Sequence, residues 1–170
     1  MKKLNFLKAI LDLFWFFSIL SIVVIVAFGV LFLFSADFDI PIKIKGQVIN
    51  TQTVIAKIVV FANLISGFLF LYSIYLLRKV VALFQKREIF TSIVIDCFSK
   101  IGNCIIASAV ISSISLIVYK AVENSYAGIV IDFGGYDSFL IAVSLGLFFM
   151  VISEIFKIAK SMKEESELTI

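Results

Sequence analysis

Glu154 has the clearest claim to chemistry in this chain. It interrupts a long apolar run near its end, with Ser138 to Ser153 uncharged before it and Ile155-Phe156 after it. A carboxylate within a membrane-type helix is costly, and so marks an ion path, a proton relay or a partner contact. The simpler reading places Glu154 at headgroup level, paired with Lys157 one turn on, or with Arg78 or Lys100. Asn63 and Asn103 lie within other apolar runs, together with Ser66, Ser73, Ser108, Ser112, Ser113 and Ser115. Such groups either line a polar lane leading to Glu154 or hydrogen-bond between helices, at about 0.6 kcal/mol each. The second reading is preferred. Ser108/Ser112 and Ala109/Ser113 have the small-xxx-small spacing of close helix contacts, which makes the third run the expected central helix.

Most catalytic constellations are excluded by composition. There is no histidine, so His-based metal sites, His general bases and Ser-His-Asp chemistry are out of reach. Cys97 and Cys104 are seven residues apart on one helix. That separates them by about 10.5 Å, too far for a disulfide. No phosphate-cradling glycine loop, HExxH, GxSxG or calcium-loop spacing occurs, and no cofactor is implied. The expectation is a protein that is not an enzyme.

The elements that hold these residues are built for lipid. Of the 170 residues, 62% are hydrophobic and 16% charged, and the mean hydropathy is +1.14. Soluble domains average about 45–50% apolar and about 25% charged. Four spans are predicted, over 10–34, 58–77, 101–119 and 138–156. The first has an apolar stretch longer than a signal-peptide core, and so reads as an uncleaved anchor. Outer loops are expected over 35–57 and 120–137, an inner loop over 78–100 and a tail over 157–170. Eleven of the 15 Lys and Arg residues fall in the N-terminal arm, the middle loop and the tail. The positive-inside rule therefore puts both termini in the cytoplasm. The fold class is an all-α, four-helix membrane bundle forming a single domain.

The loops carry some pattern of their own. Phe38 to Lys45 alternates apolar with polar residues, and Gly128 to Phe133 is β-branched before Gly134-Gly135. Pairing of these two outer-loop strands into a small sheet or β-hairpin is expected. In the middle loop, helix is expected to continue to Gln85, with a break at REIF and Thr91 capping the next helix. Trp15 and Tyr119 suit interfacial anchors, while Tyr72 and Tyr75 suit the core.

In the tail, Lys157, Lys160 and Lys163 give way to Glu164, Glu165 and Glu167. The lysines recur every three residues and face anionic headgroups. The acidic end is expected to fold back on Arg78, Lys79, Lys86 and Arg87. Leu168 and Ile170 would add apolar contacts there, making a cytoplasmic docking surface.

The terminal KEESELTI, the helix end Glu154-Ile155-Phe156-Lys157, and Phe90-Thr91 followed by Ile101-Gly102 resemble the domain-of-unknown-function 2975 family. Its members are small bacterial four-helix membrane proteins. The chain departs from that pattern at Ser92 to Ile95, which are uncharged, and at Ser166. The resemblance implies residence in the bacterial inner membrane. It also implies a partner class, a small helix-turn-helix regulator encoded alongside. No direct nucleic-acid binding is expected of this chain. Its partners are the lipid bilayer and, through the candidate residues Glu154, Arg78, Arg87, Glu165, Leu168 and Ile170, a regulator; a homo-oligomer is also compatible. The expected role is regulation, sensing or scaffolding, and the alternative is a small transporter or channel-forming subunit. The basic asymmetry makes a direct prediction. A thiol reagent applied to intact cells modifies cysteines placed at Gln47 and Ser125 and leaves one at Gln85 unmodified.

Overall fold

The computed structural model describes residues 2–34, 42–44, 47–49, 53–123 and 139–168. Four long helices account for nearly all of them: α1 (Lys2–Phe34), α2 (Val54–Gln85), α3 (Ser92–Glu123) and α4 (Phe139–Leu168). All four are long and apolar enough to cross a membrane, and the chain is a multi-pass membrane protein. Each helix overruns the uncharged run inside it, because the charged residues at its ends are good helix formers and no proline intervenes. α2 has 32 residues, about 48 Å of helix against a hydrocarbon core of about 30 Å.

Between α1 and α2 lie two three-residue strands, β1 (Ile42–Ile44) and β2 (Gln47–Ile49). They pair antiparallel with Ile42 opposite Ile49, Lys43 opposite Val48 and Ile44 opposite Gln47. The ladder that is described thus closes within one loop and does not join the two outer loops. Two residues separate the strands, a spacing that favours local pairing over closure of a longer loop. The expected partner, Gly128 to Phe133, lies outside the described residues.

α3 is the central element, packed along both α2 and α4, while α1 lies against α2. The largest fully buried side chains are Val59, Val80, Val94 and Ile101, all on α2 and α3. Leu76, Val80, Val94, Cys97, Phe98, Ile101 and Ile105 form a core near the α2–α3 turn. A second cluster of Ala56, Val59 and Tyr119 closes the opposite end. Tyr119 is therefore buried between α2 and α3 at that end. Tyr72 and Tyr75, expected in the core, are 46% and 40% exposed. Their rings stack on each other along the side of α2, with centroids 6.2 Å apart.

Two glycines fix the α3–α4 crossing. A Cβ added at Gly102 would lie 2.5 Å from the Gly146 carbonyl oxygen and 2.6 Å from Met150 Cγ. One added at Gly146 would lie 2.5 Å from Ile106 Cγ1 and 2.9 Å from the Gly102 oxygen. Backbone meets backbone here, as small residues permit in lipid, where association depends on close packing. Gly67 on α2 has nothing within 4 Å of its added Cβ. Gly102→Ala is expected to destabilise the protein by about 1–3 kcal/mol. Gly146→Ala should cost a similar amount, because its Cβ meets the inner Cγ1 of the β-branched Ile106 as well as the Gly102 backbone oxygen. Gly67→Ala should be neutral or stabilise by about 0.5–1 kcal/mol. Thermal unfolding in one detergent ranks the three.

Candidate functional site

The polar residues at the α2–α3 contact satisfy one another. Asn63 Nδ2 donates to Ser115 Oγ at 2.9 Å and to the Val59 carbonyl at 2.9 Å. Ser112 Oγ donates back to Asn63 Oδ1 at 3.0 Å, and Ser115 Oγ donates to the Ser112 carbonyl at 2.9 Å. Ser66 Oγ donates to the Ser108 carbonyl at 2.8 Å. These groups form a seam joining α2 to α3. Amide and hydroxyl groups away from water require such partners. Asn103 stands apart, exposed on the outer side of α3, so the polar residues do not converge on one lane.

A second polar strip joins α1 to α2 at the end of the bundle that carries the α2–α3 turn. Arg78 Nε is ion-paired with Asp12 Oδ1. Lys8 Nζ donates to Gln85 Oε1 at 3.0 Å, and Gln85 Nε2 donates to Asn5 Oδ1 at 2.9 Å. One turn deeper, Trp15 and Tyr75 put their ring centroids 5.2 Å apart. The register is regular. Asn5 and Asp12 are seven residues apart on α1, and their partners Gln85 and Arg78 are seven apart on antiparallel α2. Asp12 escaped the sequence reading because it lies just outside the uncharged run. The matching spacings of Asn5/Asp12 and Arg78/Gln85 were the signal available.

The turn is held from both sides. Arg87 N–H donates to the Phe84 carbonyl and Glu88 N–H to the Leu83 carbonyl, each at 3.1 Å. This is a Schellman closure, whose left-handed position usually holds glycine; here it holds Arg87, with φ 63°. α3 then starts on Thr91, whose carbonyl accepts from Val94 N–H at 3.1 Å. The Thr91 hydroxyl does not cap the helix as expected; it donates to the Glu88 carbonyl at 3.4 Å. Beside the turn, Phe156 of α4 contacts three rings, Phe84 at 5.9 Å, Phe90 at 5.9 Å and Phe98 at 5.4 Å. Ser153 Oγ donates to the Ile95 carbonyl at 2.8 Å. Among the described residues, no three His, Cys, Asp or Glu side chains gather where they could hold a metal ion.

The family described as "Protein of unknown function (DUF2975)" matches residues 50–170, well over half of the chain. The chain belongs to the DUF2975 family. The match spans α2, α3 and α4, the three helices that share the core. No curated protein and no solved structure matches the chain. The segments that carry the DUF2975 resemblance meet in the fold: Phe90 lies against Phe156, and Gly102 forms the α3–α4 crossing.

Within this DUF2975 bundle the six candidate residues do not form one site. Glu154 is exposed on the outer side of α4. Its neighbour Ser153 faces α3, and one residue along a helix turns the side chain by about 100°. The expected pairing of Glu154 with Arg78, Lys100 or Lys157 is not formed, since Arg78 is taken by Asp12. Arg87 is exposed at the turn. The tail does not fold back on the middle loop through Leu168; α4 stays helical to that residue. Lys160 pairs with Glu164 at 3.6 Å and Lys163 with Glu167 at 3.5 Å, so two acidic residues find partners one turn away. Glu165 accepts from Ser161 Oγ at 3.4 Å, and Leu168 is 87% exposed. Ile170 lies outside the described residues. The strained turn makes a prediction. Arg87→Gly removes the left-handed penalty and should raise stability by about 1 kcal/mol in chemical or thermal unfolding.

Proposed function

We propose that this protein is a non-enzymatic regulatory or scaffolding protein of the bacterial cytoplasmic membrane. Both termini are cytoplasmic in this reading, and the end of the bundle bearing the α2–α3 turn receives a soluble partner. The observation that carries the reading is a contrast between two sets of polar groups. Those at the α2–α3 contact are engaged with each other, as the Asn63–Ser112–Ser115 set illustrates. In contrast, every described residue from Ser161 to Leu168 is exposed. Inside the bilayer the polar groups hold helices together; beyond it they are presented.

Exposed basic side chains at the turn, Lys86 and Arg87, stand on the same end as the projecting helix of α4. Together they offer a surface of mixed charge for a partner with both acidic and basic patches. The family resemblance supplies the partner class, a small helix-turn-helix regulator. Transport has less support, because the mutually bonded seam offers no free polar groups along which an ion would exchange its hydration shell.

Affinity capture from solubilised native membranes tests the proposal. Removal of residues 164–170 is expected to abolish co-purification of the regulator while leaving membrane insertion and helical content unchanged. Capture that persists at the full level after that removal overturns the docking role of the α4 end.

A further inference from the structure

Two lysines stand unpaired where α2 and α3 pass out of their uncharged runs. Lys79 follows closely on Leu77, and Lys100 immediately precedes Ile101. Both are exposed, and neither has an ion pair or a hydrogen bond among the described residues. Their neighbour Arg78 is already neutralised by Asp12. The Ser66–Ser108 bond sets the register of the antiparallel α2–α3 pair. Followed along both helices, that register brings Lys79 level with Ile95 to Cys97. Both lysines act electrostatically on the Cys97 thiol, each more strongly than the Asp96 carboxylate does. Side chains tilt toward the N-terminus of their helix. Lys79 therefore leans along α2 into the span, while Lys100 leans along α3 outwards to Cys97. The two ammonium groups converge on one groove. Lys100 is about 200° around α3 from Gly102, which meets α4, so this groove opens on the side away from α4.

The surroundings favour one kind of anion. Two ammonium groups against the single carboxylate of Asp96 leave one net positive charge, the complement of a phosphodiester monoanion. Asn103 lies one turn further into the span on the same face of α3 as Lys100. Its amide is exposed and has no partner among the described residues. Such a group needs a hydrogen bond at that depth, and a phospholipid carries ester carbonyls just below its phosphate. From Lys79 an exposed row runs back into the span along one face of α2, through Tyr72, Phe68, Ile65 and Phe61. A free phosphate ion uses the amines alone. The row suits an anion that carries acyl chains.

We propose that Lys79, Lys100 and Asn103 form a binding site for one anionic phospholipid. Its phosphate sits between the two amines, an ester carbonyl accepts from the Asn103 amide, and an acyl chain lies along Tyr72 and Phe68. Basic pockets between spans hold lipid headgroups in this manner. The site needs no soluble partner and works in either orientation of the chain, so it stands or falls apart from the docking function proposed above.

Native mass spectrometry of the full chain tests the site. The chain is released from detergent micelles holding equal amounts of phosphatidylglycerol and phosphatidylcholine with matched acyl chains. The parent is expected to retain one phosphatidylglycerol about 25-fold in preference to phosphatidylcholine, about fivefold for each lysine. Lys79→Gln and Lys100→Gln should each lower this preference to about fivefold, and the double variant should bring it near parity. Lys157→Gln combined with Lys163→Gln removes two exposed lysines from α4 and should leave the preference intact. Glycerol phosphate, which has the anion without the acyl chains, should not displace the lipid. Equal retention of both lipids by the parent overturns the proposal, and that comparison needs no variant to fold. A double variant as selective as the parent, or an α4 variant that loses the same selectivity, overturns it too. Displacement by glycerol phosphate assigns the groove to a free phosphate and overturns the lipid site.

Discussion

The contact of backbone with backbone at Gly102 and Gly146 is the constraint on which the rest of the bundle turns. In lipid, apolar side chains gain nothing from leaving one hydrocarbon surface for another, so helices associate through close fit and hydrogen bonds. The two glycines supply the close fit and thereby fix the rotation of α4. With Gly146 on α3, Ser153 reaches the Ile95 carbonyl, and Phe156 closes on the rings at the turn. The same rotation directs Glu154 outwards. A residue that looks like a buried functional carboxylate in the sequence is displaced to the periphery by the seating of its neighbour.

The helices are joined by different kinds of contact. α3 and α4 share shape, α2 and α3 share a seam of amide and hydroxyl groups, and α1 and α2 share an ion pair with a short amide ladder. These differ in strength and in their response to water. The seam lies within the spans, away from water. The ion pair is more than one-third exposed on both partners, so water and salt screen it, and such pairs contribute little. α1 is accordingly the helix most lightly held among those described, and it is the one that the family match does not reach.

The sequence made the spans legible because 20 apolar residues in a row have few physical destinations. It also showed α3 as the central helix, since the Ser108–Ser112 pattern requires a close neighbour. Pairing was harder to read. Asp12 and Arg78 are 66 positions apart, and nothing local to either names the other; only the shared seven-residue spacing with Asn5 and Gln85 carries that information. The tail illustrates another limit. Charge alone matches the acidic end to the distant Arg78, Lys79, Lys86 and Arg87, but lysines four residues away compete for Glu164 and Glu167 without closing a loop. Arg87 marks a third, because a basic side chain gives no warning that its backbone occupies the left-handed region.

The ion pair between the first two helices also sets an order of events during synthesis. α1 leaves the ribosome first, and its Asp12 must wait for Arg78, 66 residues later. At about 5–20 residues per second that delay is roughly 3–13 s. A carboxylate held for seconds in mid-bilayer would oppose insertion. Asp12 instead precedes the uncharged run that begins at Leu13, where water can solvate it until its partner arrives. The nascent first helix can thus settle in the membrane alone, and the arrival of the second converts a hydrated charge into a clasp.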